Sequence, residues 1–283
     1  MSPTSHSPGS FPKSTVIVGS AKPPPPIFVV RRHHVFGAIG FLLALITLYL
    51  FAYEPAYHGT LVIPVPRPLI LANGDAARQP HDNIVQALNG ALDGGADGMN
   101  VVGQLTSEGG LAVFLGDAYA GSFEDLVRSV NGRGLVLVEL VAPGVARTGI
   151  EERAVEMIRK YDANLSVVLS SSNPLVLYRV KQIDPLVRTA WVVMDRQQDD
   201  AGYSPWILRL ELIRRAARKL VPVDMLSINH RVNGAVIDRL ISKGWPVLIW
   251  SPDTEADIRR AVARRPYGVI SNQPLPARQL RGE

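Results

Sequence analysis

Residues 94–117 read GGADGMNVVGQLTSEGGLAVFLGD, and the fold turns on how this stretch is understood. DGMNVV (97–102) is a short apolar run after a glycine-rich turn, which suits a buried strand. SEGG then supplies a turn, and LAVFL (111–115) reads as an extra strand that folds back on the first as a hairpin. On either side the same kind of apolar run recurs, alternating with longer helical patterns. Upstream lies LILA (69–72). Downstream come LVLVEL (135–140), SVVLS (166–170), TAWVVM (189–194), DMLSI (224–228), PVLIW (246–250) and GVIS (268–271). Helical patterns fall between them over 81–93, 122–131, 149–161, 174–183, 205–220, 232–243 and 254–264. Asp253 or Thr254 can cap the last of these, and Gly244 stops the one before it.

Strands that alternate with helices in this way predict an α/β fold, a closed (β/α)8 TIM barrel. The rival is an open doubly wound sheet. It would place a Gly-x-Gly-x-x-Gly turn after the first strand, and LANGD at 71–75 does not supply one.

Working outward to the N-terminus, Val35–Tyr53 carries no charge. At about 1.5 Å per residue it spans about 28 Å, close to the ~30 Å hydrocarbon core of a bilayer. Tyr49 and Tyr53 sit near one end, where amphipathic rings favour the interface. A cleavable signal peptide would have a shorter apolar region ending in small residues, whereas EPAYHG follows here. Lys13, Lys22, Arg31 and Arg32 precede the segment without any acidic residue among 1–34. The positive-inside rule therefore places the N-terminus in the cytoplasm and the barrel outside it, in the periplasm if the source is Gram-negative. The expected layout is a Pro/Ser-rich disordered tail (1–34), a transmembrane helix (35–53), a linker (54–67) stiffened by Pro64 and Pro66, the barrel (68–276) and a C-terminal tail (277–283). The lipid bilayer is the expected partner of residues 35–53, with a membrane protein as a further one.

Composition narrows the function. There are no cysteines, which excludes disulfides, cysteine–zinc sites and thiol nucleophiles. The net charge is +5, and the cations are scattered except for Arg214, Arg215, Arg218 and Lys219. That cluster reads as a solvated helix end, because no aromatic residues interleave with it as in a nucleic-acid surface, and no nucleic-acid partner is expected.

The order of short motifs, LILANGD, QPHDNIVQAL, GGADGMNVVGQLTSEGG, LVLVEL, KGWPVLIWSPD and YGVISNQP, resembles that of the glycerophosphodiester phosphodiesterase family over about residues 68–274. The resemblance implies a barrel of the phospholipase-C-like phosphodiesterase type. It also implies a hydrolysis using two histidines as acid and base, an arginine on the phosphate and carboxylates on a divalent cation. Carried over position by position, the His-Arg pair of the first strand falls on Ala72 and Asn73, with Gly74 kept. The next Glu-Asn falls on Asp82 and Asn83, and the metal-binding Glu and Asp fall on Asn100 and Val102. The second histidine falls on Leu115 or Gly116. The Glu of the third strand survives as Glu139, its Lys partner falls on Val141, and the final Thr-Asp falls on Ser271 and Asn272.

The expectation is therefore a membrane-anchored member without the family's usual catalytic set, a pseudoenzyme that binds a partner or a polar ligand. The alternative is a divergent phosphoric diester hydrolase in which His81 or His230 supplies the acid/base. In that case Asp75 or Asp117 joins Glu139 on Ca²⁺ or Mg²⁺; otherwise no cofactor is expected. The expected ligand-binding mouth comprises Asn73, Asp75, Asn100, Gln104, Asp117, Glu139, Trp250 and Asn272. For His81, His230, Asp75 and Asp117 the competing readings are surface, turn and cap residues.

Overall fold

The computed structural model describes residues 32–54, 56–57, 59, 67–74, 83–130, 132–142, 144–194 and 210–282. The chain separates into two units, Met1–Leu45 and Ile46–Glu283. Helix α1 (Arg32–Ala52) begins in the first and ends in the second. Its stretch His34–Ala52 is long and apolar enough, by length and composition, to cross a membrane.

In the second unit eight parallel strands close into a barrel: β1 (Leu69–Asn73), β2 (Gly98–Leu105), β5 (Leu135–Leu140), β6 (Val167–Ser171), β7 (Arg188–Val193), β8 (Met225–Asn229), β9 (Val247–Trp250) and β10 (Gly268–Ser271). Closure comes from β1, which pairs with β10 on one side and β2 on the other. Every one of the eight matches a strand expected from its apolar run. LAVFL is indeed a strand, β3 (Leu111–Leu115), antiparallel to β2. It continues into β4 (Ala118–Ser122), which the sequence reading missed because AYAGS lacks an apolar run.

Helices α2 (Ile84–Asp93), α3 (Phe123–Val130), α4 (Ile150–Lys160), α5 (Pro174–Ile183), α6 (Glu211–Leu220), α7 (Gly234–Ser242), α8 (Glu255–Ala263) and α9 (Pro274–Arg281) accompany them. Asn83 caps α2 in a capping box with Gln86, Asn173 and Asn233 cap α5 and α7, and Thr254 caps α8. The start of the helix expected at 205 and that expected at 81 lie outside the described residues. Residues 277–281, expected as a tail, form the body of α9. Pro274 starts that helix, Ala277 is buried, and Arg281 pairs with Asp97 at 2.6 Å. Its sequence PLPARQLR has too few apolar positions to show a helical stripe.

Side-chain parity divides the core. Leu69, Leu71, Leu135, Leu137, Val168, Ala190, Met225, Leu248 and Ile270 fill the barrel interior. Residues of opposite parity, such as Ile70, Val136, Leu169, Ile228 and Val269, pack outward with the helices. Each fully buried leucine, isoleucine or valine contributes about 1.5–3 kcal/mol by leaving water. Gly98, in the GADG stretch, is forced by this packing. A Cβ there would lie 1.7 Å from the carbonyl oxygen of Leu135. Asp97 beside it is structural, accepting from the Ile70 N–H at 2.7 Å while it holds Arg281.

The cationic cluster of α6 differs from its expected solvated state. Arg214 and Arg218 are buried. Glu54, expected in an open linker, is 6% exposed and accepts from Arg218 Nε at 3.0 Å and Nη2 at 2.7 Å. Arg215 lies 3.2 Å from the same carboxylate, and Glu211 binds Arg218 and Arg239 at 2.8 and 3.0 Å. Arg215 also donates to the carbonyls of Phe51 and Ala52, and Lys219 to those of Tyr49 and Leu50. These are the carbonyls that the end of a helix leaves without intrahelical partners. Local sequence could not reveal this, because partner and cluster are more than a hundred and sixty positions apart in the chain.

Candidate active site at the barrel mouth

Continuing the interior parity toward the C-terminal strand ends leads from apolar to polar residues. Leu69 and Leu71 are followed by Asn73, Leu135 and Leu137 by Glu139, Val168 by Ser170, Met225 by Ser227 and Asn229, Leu248 by Trp250, and Ile270 by Asn272. This end is where (β/α)8 barrels place their chemistry. On β2, Asn100 pairs in register with Asn73.

Three amides of this layer join in series across β2, β1 and β10. Asn73 Nδ2 donates to Asn272 Oδ1 at 2.9 Å, and Asn100 Nδ2 reaches Asn73 Oδ1 at 3.5 Å. Gly74 follows because a Cβ there would sit 2.8 Å from the Asn100 carbonyl oxygen and 3.1 Å from Leu115. On the facing strands Glu139 is paired in register with Ser170. Glu139 is partly buried, and burial pushes its carboxyl up to about 7. Ser170 Oγ and Trp250 Nε1 are buried without hydrogen-bond partners among the described residues.

The expected site residues are thus partly brought together. Asn73, Asn100, Glu139, Trp250 and Asn272 share the mouth layer. Gln104 lies further along β2, opposite Ala112 on the hairpin strand. Asp117 is exposed in the β3–β4 turn, one residue beyond Gly116, and Leu115 is buried beneath it. Asp75 and His81 lie outside the described residues. His230 is one residue past Asn229 and so has outward parity. Its N–H donates to the Trp250 carbonyl, and its ring lines clefts with Arg231 and Asp257 beside α7 and α8. The second of these clefts also includes Asn229 and Trp250, so His230 borders the mouth layer. Ala72 also faces the helix layer, with Ile84 and Leu88 among its cluster, so the mouth residue of that strand is Asn73. Ser170, Ser227 and Asn229 were missed as site residues. Reading every second residue of each strand to its end would have found them.

Among the described residues no group of three or more His, Cys, Asp or Glu side chains could hold a metal ion. One carboxyl with a raised pKa beside neutral amides does not fit a hard divalent cation, which takes six or more oxygens with several carrying charge. What this layer offers is hydrogen-bond donors and acceptors at the C-terminal ends of the strands.

Comparisons with known proteins agree on the family. Residues 141–275 match the Glycerophosphoryl diester phosphodiesterase family. A glycerophosphodiester phosphodiesterase of Caldanaerobacter subterraneus is 22% identical over 244 residues, covering 74% of this chain and 95% of that protein. A Silicibacter pomeroyi protein described as a candidate glycerophosphoryl diester phosphodiesterase superimposes with a TM-score of 0.62 at 13% identity, over 80% of this chain and 95% of its own. An Oleispira antarctica phosphodiesterase, solved with the product sn-glycerol-3-phosphate, gives a TM-score of 0.56 at 14% identity over 83% and 99%. The closed barrel, the order of its motifs and the family match over residues 141–275 agree: this chain has the fold of the glycerophosphoryl diester phosphodiesterases and is similar to them in sequence.

Proposed function

We infer that this barrel binds rather than hydrolyses: a membrane-anchored pseudoenzyme whose mouth holds a neutral polyol head group of the glycerol or sugar kind. It would serve as a binding or accessory subunit of a membrane complex. The observation that carries this reading is the Asn100–Asn73–Asn272 amide series in the same layer as Glu139, with the Asp253 carboxylate already accepting from the Asn272 N–H at 3.2 Å. Amides and hydroxyls match vicinal hydroxyl groups, each of which donates and accepts. They offer neither the charge to neutralise a phosphoryl oxygen nor a proton donor matched to a leaving alkoxide. The apolar helix supports a single-pass anchor. The basic residues before it support a cytoplasmic N-terminus with the barrel extracytoplasmic, periplasmic in a Gram-negative source.

A second reading, a divergent phosphoric diester hydrolase of lipid metabolism, is favoured by one observation. A carboxyl near 7 is poised for general acid–base work at neutral pH. The two part on one assay, using the full chain in detergent with glycerophosphodiester substrates, with and without Ca²⁺ or Mg²⁺, beside Glu139→Ala. The binding reading expects no turnover, and a rise in thermal stability with glycerol that Asn73→Ala abolishes. Metal-dependent turnover lost in Glu139→Ala would replace it with the hydrolase.

A further inference from the structure

At the end opposite the mouth, the connections entering β6, β7 and β8 carry large, exposed apolar side chains. Leu165 is 66% exposed, Leu186 75% and Leu220 65%. They precede three neighbouring strands at one end of the barrel. Arg188 Nη1 donates to the Leu165 carbonyl at 3.1 Å, and Lys181 Nζ binds the Pro185 carbonyl at 3.1 Å and Asp224 at 2.6 Å. Leu220 closes α6, the helix whose Arg215 and Lys219 hold the last carbonyls of α1. Beside it the rings of Tyr49 and Tyr53 stack at 5.9 Å, half exposed, with Lys219 over both.

Scattered exposed leucines need no explanation, and single ones occur at the mouth end too, but a group of them at one end beside an aromatic–lysine belt does. Aromatic rings and snorkelling lysines are what an element at the level of lipid head groups carries. Acids at this edge are neutralised within it: Asp184 by Arg159 at 2.6 Å and Asp224 by Lys181, leaving Asp162 as the exposed one.

We propose that the edge formed by Leu165, Leu186 and Leu220, with Tyr49 and Tyr53, seats in the interface of a lipid bilayer. The occupant is the membrane itself, because the edge is continuous with the end of the apolar helix. The seat leaves the mouth, at the other ends of the strands, turned to the aqueous side, where it meets soluble or protruding ligands rather than buried acyl chains. The proposal rests on the reading of α1 as a membrane anchor.

The absence of cysteine makes the test clean. Leu165→Cys, Leu186→Cys and Leu220→Cys are made in the full chain, each carrying an environment-sensitive fluorophore, with Val145→Cys as the control. Val145 is 73% exposed at the mouth end. The chains are reconstituted in phosphatidylcholine–phosphatidylglycerol vesicles with nitroxide-labelled lipids. The three edge probes are expected to be quenched by about twofold or more, as for side chains lying a few ångströms into the interface, and the Val145 probe to stay unquenched. A chain retained after carbonate extraction with edge probes as wet as the control would overturn the seat alone. A chain released by carbonate would overturn both the anchor and the seat.

Discussion

The two ends of the barrel are built from opposite chemistry. The end at which strands begin is charged and paired: Asp97 with Arg281, Asp224 with Lys181, and Glu54 among Arg215 and Arg218. The side-chain layer in which strands finish is mostly uncharged and incompletely satisfied, with amides in series, Ser170 Oγ and Trp250 Nε1 without partners among the described residues, and a carboxyl held near 7. Paired charges fix geometry, because removing either partner strands the other in a poor solvent. Polar groups left unpaired on burial cost stability and are retained where a ligand satisfies them. One end thus serves to hold the fold, and the other to receive something.

Substitutions at the first end should do the most damage. Gly98→Ala forces a Cβ against backbone, and we expect a loss of more than about 4 kcal/mol, read as failure to accumulate folded protein. Arg218→Ala strips Glu54 of its bidentate partner and leaves Glu211 half paired. It should cost about 3 kcal/mol in urea unfolding, and a loss below about 1 kcal/mol would show that the cluster is solvated after all.

At the mouth the sign reverses. The carboxyl of Glu139 has a raised pKa in the folded state, so the unfolded chain releases its proton first as pH rises. Stability attributable to this group therefore falls between the ordinary glutamate value of about 4.5 and about 7 and stays low above that. Glu139→Gln should match the parent at pH 4 and exceed it by roughly 2 kcal/mol at pH 8. Equal differences at both values would remove the mouth's electrostatic character from the comparison. Smallest of all, Asn272→Ala should change stability by about 1 kcal/mol or less, since the hydrogen bond lost is partly exposed. A loss several times larger would make the amide series a structural brace like the charged end.

Some of this was plain before any coordinates. All eight barrel strands were visible as short apolar runs, since a strand enclosed by a barrel core and a helical layer is apolar on both faces. Asn73, Asn100, Glu139 and Asn272 were legible through their places in the resembled motifs, and Trp250 through its place at the end of a strand. Strand β4 and helix α9 were not, because AYAGS and PLPARQLR gain their burial from neighbours that local pattern does not show.

The amino-acid sequence by itself determined the number and order of strands, the apolar helix and the family resemblance, because these rest on periodicity and motif order within short windows. Only the tertiary structure decided that Asn73 meets Asn272, 199 residues away, and that Glu54 is buried on Arg218, 164 residues away. Side-chain partners at such separations are chosen by barrel closure, and no local pattern encodes which two ends of the chain a closed sheet brings together.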